Sequence, residues 1–566
     1  MRSTFLGFEV SKRTIQMAQK NLDITNNNLA NMNISGYTRQ RVDMNSLYVP
    51  VSGKYSSPIA QLSLCGQGAN AFGVSQLRDS YIDKRYREFT AYVAQADVRH
   101  SILSETEKVL TNVSNKGLVS NLDDFRAALA KYAEDSAYNK ELASVVRNEA
   151  YSICQTLNAY ANDLENLRQE NVVELKNSIS EVNNLIDKIV DLNKAIVGEY
   201  NITAADKIYK GETVIGSYGP NELIDERNRL IDELSCYANI KAYDNDDGSV
   251  RIVMGYGDDL SQQGVEIVNG KSYEHLVFKN YKSSAVQQTF DDYDAAMIVF
   301  TNGVDANAMI KTGDLRARLD MINGNGSYAS SHQNTEYGIR YYQSAIDEFA
   351  REFADLMNDL NSMNEAYGGD SRAMFASKAD YDEHGNRLLA YDENGNVILD
   401  DDGNPKLANR EIINARNIAI SQEWLNDANM IGQVYKPSET DPDDPTKGEW
   451  TLSLDGNNVN VIYLGLDKEI TVGRTGEFKG SIYDYVLFLN NRLAENINYC
   501  QEQYDLNSQN VNSIMDARDS ISGVSDTEEG TNMLNYQKWF NASSRMLTTI
   551  DEMLDRLITN TGIVGR

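Results

Sequence analysis

The chain has 566 residues, with 53 Lys and Arg against 83 Asp and Glu and a formal charge of −30. That acidity excludes a non-specific nucleic-acid binder, which needs surplus cations to displace phosphate counterions, and a protein that docks on anionic lipid. The length predicts several domains, and 41% hydrophobic residues with 33 Tyr and 14 Phe is too rich for a disordered acidic chain.

The first helix is predicted from a narrow stripe: Phe8, Ile15, Leu22 and Leu29 recur every seven residues, with Ser11, Ala18 and Thr25 between them. A strict seven-residue repeat is the pattern of a coiled coil rather than of an ordinary surface helix. The helix should stop near Asn31, at the turn Asn33-Ile34-Ser35-Gly36. Residues 39–80 read as irregular and extended. Helix resumes near Asp79 and runs, with breaks, to about 199, clearest where Leu175, Ile179, Val182, Ile186, Ile189 and Ile196 follow helical spacing with Asn193 in the remaining slot.

The pattern changes to β over 201–328, where Ser249–Met254 alternates after the turn Asp246-Asp247-Gly248. A helix is expected over 329–364, with Tyr342, Ile346, Phe349, Phe353, Leu356, Leu360 and Met363 as its apolar row. A second non-helical block covers 365–475 and holds a small repeat of Gly-Asn turns at 385, 395 and 403, followed by a Pro-rich linker at 437–448. The last 90 or so residues are again helical. The closing helix steps by four and three through Tyr536, Phe540, Ser543, Leu547, Ile550, Leu554 and Leu557.

Nothing in this order carries enzyme chemistry. The four histidines, His100, His275, His332 and His384, form no HExxH pair and none neighbours a cysteine. Cys65, Cys154, Cys236 and Cys500 are far apart, with no CxxC to suggest zinc or redox work. There is no GxSxG or P-loop, and the Asp-rich turns lack the glycine and glutamate spacing of a calcium loop. No catalytic, metal or cofactor-binding residue is therefore expected. Charged and amide side chains at Glu9, Lys12, Arg13, Gln16 and Gln19 break up the amino terminus, so it reads as no cleavable signal. No window approaches the ~18 apolar residues of a membrane span.

The segment Asn27-Asn28-Leu29-Ala30-Asn31, then Gly36-Tyr37-Thr38-Arg39-Gln40, resembles the amino-terminal signature of bacterial flagellar axial proteins, and in its Gly-Tyr-Thr-Arg form the flagellar hook-associated protein 1 family of the hook–filament junction. Residues 219–231, with Asn221, Leu223 and Asp225, are similar to that family's segment after its long helices. Gly313–Leu319 resembles the stretch leading back to the helical core, and Ser522–Ser525 with Glu528, Glu529, Tyr536 and Gln537 resembles the carboxy-terminal signature. Asp526-Thr527 and Gly530 depart from it.

The resemblance implies an elongated α+β multidomain protein whose chain ends form a long helical core with β-rich outer domains inserted. Its parts would be 1–200 and 476–566 as the helical core, 201–328 and 365–475 as outer domains, and 329–364 as a helix returning to the core. It implies a non-enzymatic structural component joining hook to filament, exported by the flagellar type III apparatus, extracellular in the flagellum and transiently cytoplasmic. Implied partners are the hook protein, hook-associated protein 3, a flagellar export chaperone and copies of the chain itself, with no cofactor, nucleic acid or membrane. Axial assembly would use Phe8, Ile15, Leu22, Asn27, Asn28, Leu29, Asn31, Gly36, Tyr37 and Arg39 at one end. At the other, Tyr536, Phe540, Leu547, Ile550, Leu554 and Leu557 would serve both assembly and the chaperone. Another axial protein (hook or distal rod) and a secreted adhesin are the alternatives. Few prolines suit a chain that must refold after export, since X–Pro isomerisation is slow.

Overall fold

The computed structural model describes residues 4–46, 68–111, 117–134, 139–209, 220–255, 264–281, 295–329, 334–362, 373–380, 412–437, 450–454, 456–473 and 476–561. Helix α1 (Thr4–Asn31) leads into the antiparallel hairpin β1 (Gln40–Ser46) and β2 (Ala69–Gln76). Helices α2 (Ser80–Leu110), α3 (Leu118–Glu134) and the 70-residue α4 (Lys140–Tyr209) follow, then α5 (Asn221–Tyr237). Strands β3 (Ile240–Asp244), β4 (Val250–Met254), β5 (Val265–Asn269) and β6 (Ser272–Tyr273) make an antiparallel meander in chain order. β7 (Leu276–Tyr281) pairs with β8 (Ala295–Phe300). Then come α6 (Asp314–Asn323), α7 (Ile339–Ser362), β9 (Phe375–Ser377), β10 (Ile418–Ile420), α8 (Gln422–Asn426), β11 (Gln433–Pro437), β12 (Trp450–Leu454), α9 (Gly456–Gly465), β13 (Ile470–Val472) and β14 (Phe478–Gly480). The chain closes with α10 (Ile482–Ser522) and α11 (Asp526–Thr561). The class is α+β, with long helices and small antiparallel sheets.

Two apolar cores are present. One packs the expected α4 row Leu175, Ile179, Val182, Ile186 and Ile189 against Leu230, Ile231 and Leu234 of α5 and the inner faces of β4, β5 and β8. The other gathers α2, α3, the first half of α4, α7, α9 and α10, with Trp424 and Phe375 among its largest buried side chains. Residues on both sides of the Gly-Asn repeat, such as Met374, Ile418 and Val459, share this second core with the helices. The repeat itself lies outside the described residues.

Several boundaries differ from the sequence expectation. The β stretch 201–328 contains the helices α5 and α6, whose Leu230, Ile231 and Leu234, and Leu315, Leu319 and Ile322, are buried at helical spacing. The block 365–475 likewise contains α9, held by Val459 and Ile462. α7 begins at Ile339 rather than 329 because Gly338 is packed backbone to backbone. A Cβ there would stand 2.5 Å from the Met321 carbonyl oxygen, and the Gly338 amide donates to Gly324.

Asparagines join helices to strands by one recurrent device. A carboxamide carries a donor and an acceptor side by side, so it can satisfy both the N–H and the C=O of one strand residue. Asn183 on α4 does so with Leu276, at 2.9 Å for each bond. Asn193 takes the Val250 amide at 3.1 Å and donates to the Val250 and Gly270 carbonyls at 3.3 and 3.0 Å. Asn323 on α6 clamps Ala296, Asn358 on α7 clamps Phe375, and Asn28 on α1 clamps Gln40.

Candidate functional site

Both chain ends meet in one helix pair, α1 against α11. On α11 the less exposed positions fall on Tyr536, Phe540, Ser543, Leu547, Ile550 and Leu554, with Ile550 fully buried. Leu557, at the end of the row, is 52% exposed. On α1 the fully buried row is Ser11, Ala18, Asn21, Thr25 and Asn28, joined by Met17. Phe8, Ile15, Leu22 and Leu29 flank this row and are only half-buried. In the first turn of α1 the two helices approach closely: a Cβ on Gly7 would lie 3.1 Å from Ile550 Cδ1.

Three distant segments converge at the base of this pair: 27–40, 221–225 and 518–529. α1 stops at Asn31, and Gly36, at φ +85°, turns the chain back toward β1. The Tyr37 hydroxyl donates to Asn28 Oδ1 at 2.8 Å, and the Asn31 amide closes onto Asn27 at 2.9 Å. Burial, with the charges of Asp225 and Glu222, pushes the Tyr37 pKa up to about 12, so it remains a donor. Arg39 lies 2.7 Å from Glu528 and 2.6 Å from Glu529, and its backbone N–H donates to the Ser522 carbonyl at 2.9 Å. Glu529 is buried; both glutamates sit in the first turn of α11, where the helix dipole favours negative charge.

The first turn of α5 supplies the opposite wall. Asp225 accepts from the Thr38 amide at 3.1 Å, and Glu222 from Gln40 Nε2 at 3.3 Å. The Asn221 carbonyl accepts from Gln76 Nε2 at 3.0 Å, and its side chain donates to the Val74 carbonyl at 3.3 Å. Beyond these, Arg518 at the end of α10 bridges Asp83 at 3.1 Å and Asp232 at 2.9 Å. Arg87 also pairs with Asp232 at 2.7 Å, and Arg78 pairs with Asp83. Opposed carboxylates and guanidinia of this kind hold segments in place. Among the described residues, no group of three or more His, Cys, Asp or Glu is placed to hold a metal ion.

Of the residues expected at the amino end, the structure thus brings Asn27, Asn28, Asn31, Tyr37 and Arg39 together inside the chain, while Phe8, Ile15 and Leu22 lie along the helix pair. Two features escaped sequence reasoning. Asn221, Glu222, Asp225 and Glu529 stand in motifs that were legible, but their mutual contacts were not, and Arg518 lies in no motif the sequence offered. A second apolar row on α11, Trp539, Met546 and Met553, repeats every seven residues and is 43%, 53% and 50% exposed. Its period could have revealed it.

Comparison with known proteins places these features among flagellar proteins. Residues 103–375 match the family described as "Flagellar hook-associated protein FlgK helical domain", and 517–560 match "Flagellar basal body rod FlgEFG protein C-terminal". The chain is 27% identical to the flagellar hook-associated protein 1 of Bacillus subtilis (strain 168), over the full length of both. It is 22% identical to that of Escherichia coli (strain K12), covering 96% of this chain and 97% of that one. The solved flagellar hook junction protein FlgK from Burkholderia pseudomallei aligns at 10% identity with a TM-score of 0.47, covering 78% of this chain and all of that one.

Proposed function

We propose that the chain, which is similar over its full length to flagellar hook-associated protein 1 of Bacillus subtilis and matches the helical-domain family over residues 103–375, is an axial component of the flagellum and the subunit joining the hook to the flagellin filament. It is a structural part rather than an enzyme. It leaves the cell through the flagellar type III apparatus and meets the hook protein on one side and hook-associated protein 3 on the other. An export chaperone holds α11 beforehand.

The observation that carries this reading is the uncovered row on α11. A pair of helices buries one shared seam, yet α11 carries a second apolar row beside it, Trp539, Met546 and Met553. An amphipathic helix with two adjacent apolar rows has partners on both. The half-buried Phe8, Ile15 and Leu22 of α1 offer the same service. Further copies of the chain and its axial neighbours are the partners these rows suit.

The test is the double variant Met546→Glu/Met553→Glu. Both side chains are already exposed, so the isolated subunit should melt like the wild type. In cells it should be made and exported but leave hooks without filaments. Full motility from this variant in a strain lacking the native chain would refute the reading.

A further inference from the structure

We infer that α2 and α10 carry the two halves of a contact between copies of this chain, the cationic, aromatic face of α2 in one copy lying against the acidic stripe of α10 in the next. This rests on the reading that the chain is an axial component, and goes beyond it by naming the faces that meet.

The helix pair is slender here. Among the described residues, 80–97 and 501–522 contribute nothing to either apolar core. These stretches pack on each other, with α5 beside α2, and Arg518 pins them through Asp83. Each helix therefore keeps a face in solvent. On α2 that face carries Tyr81, Arg85, Glu88 and Tyr92, at steps of four, three and four that place them in one row. Arg85 lies 5.9 Å from the Phe89 ring and, among the described residues, pairs with no carboxylate. Lys84, over the Tyr243 ring, adds a second cation. On α10 the exposed face carries Glu495, Glu502, Asp505, Asp516 and Asp519, with Tyr499 and Leu506 exposed among them. The two arginines of α10 offer these carboxylates nothing, since Arg492 is held by Glu477 and Arg518 by Asp83 and Asp232.

Charge selects the occupant. A stripe of five carboxylates without a cation repels any acidic surface brought to it, and with a formal charge of −30 most of this chain is such a surface. The α2 row is the complement, because it offers cations together with aromatic rings. Both rows also repeat at seven residues, Arg85 with Tyr92 and Tyr499 with Leu506, the period at which helix faces mesh. The two faces do not meet within one copy, since both stay exposed in it. Two different faces that complement each other make a heterologous contact, which repeats from copy to copy about an axis.

The experiment is cross-linking in intact flagella. Two full-length chains, one with Glu88→Cys and one with Gln509→Cys, are produced together in a strain lacking the native chain, and purified flagella are treated with a short bis-maleimide. Both positions are exposed, and strains making either chain alone control for the native cysteines. A covalent dimer should form when both chains are present and not with either alone. Adding Arg85→Glu to the first chain should lower the dimer about tenfold, and adding Asp505→Arg to the second should restore it. Equal dimer from one chain alone would mean that like faces meet and would overturn the inference. So would indifference to the charge reversal, cross-linking to a different protein, or no dimer while the chain is present in the flagella. Absence of the chain from purified flagella would overturn the axial reading itself, and this inference with it.

Discussion

Arg39→Ala is the sharpest perturbation of the join between the chain ends. The side chain faces two glutamates in different surroundings: Glu529 is 3% exposed and Glu528 is 63% exposed. An exposed pair is worth about 0.5 kcal/mol or less. Removing one partner of a buried pair costs about 3 kcal/mol, because the remaining charge stays out of water. Among the described residues, the Glu529 side chain would keep the Asn28 amide alone, at 3.4 Å. Arg39→Ala should therefore raise hydrogen exchange in α1 and α11 about a hundredfold, at about 1.4 kcal/mol per tenfold. Glu528→Gln should change it less than about threefold. Adding Glu529→Gln to Arg39→Ala should restore much of the protection, since no buried charge is then left unpaired. Equal effects from Arg39→Ala and Glu528→Gln, or no recovery in the double variant, would refute the reasoning.

Other outcomes follow from the same contacts. Asn193→Leu loses the acceptor for the Val250 amide and both donated bonds, to Val250 and Gly270, and should lower stability by about 2–3 kcal/mol in urea unfolding, more than Asn177→Leu on the exposed face of the same helix. Burial raises the Asp347 pKa from 3.8 to about 6, so the folded chain holds that proton more tightly. Its contribution is complete below pH 3.8 and is lost as pH rises through 6; Asp347→Asn should gain melting temperature over the wild type at pH 7 and not at pH 3.5. Gly338→Ala should lose about 2–4 kcal/mol or fail to fold, since its Cβ would meet carbonyl oxygens at 2.5 and 2.6 Å. Gly530→Ala, with nothing within 4 Å and a helical position, should gain about 0.5–1 kcal/mol by thermal melting.

How far the sequence could be read varies by element and by physical cause. The four-and-three spacing of α11 found the packed face from Tyr536 to Leu554, because large apolar side chains there do the burying. On α1 the same logic pointed at Phe8, Ile15, Leu22 and Leu29, while the buried row is Ser11, Ala18, Asn21, Thr25 and Asn28. Small and polar residues carry no hydrophobic signal, and the close approach at Gly7 is a property of two helices together. The asparagine clamps are invisible for a related reason: Asn193 was legible only as a gap in an apolar row. α5 and α6 were absorbed into a β stretch because 17 and 10 residues give few turns of periodicity. The signature segments were all legible as strings. That Thr38 meets Asp225, 187 residues away, and Arg39 meets Glu529, 490 residues away, is tertiary information no local pattern holds.

The central claim is that this chain is the junction between hook and filament, and deletion of its gene tests it most directly. Electron microscopy of the deleted strain should show hooks of normal shape with no filaments attached, and flagellin should accumulate in the medium. Return of the wild-type chain should restore filaments. Normal filaments on the hooks of the deleted strain, with no flagellin shed, would contradict the account.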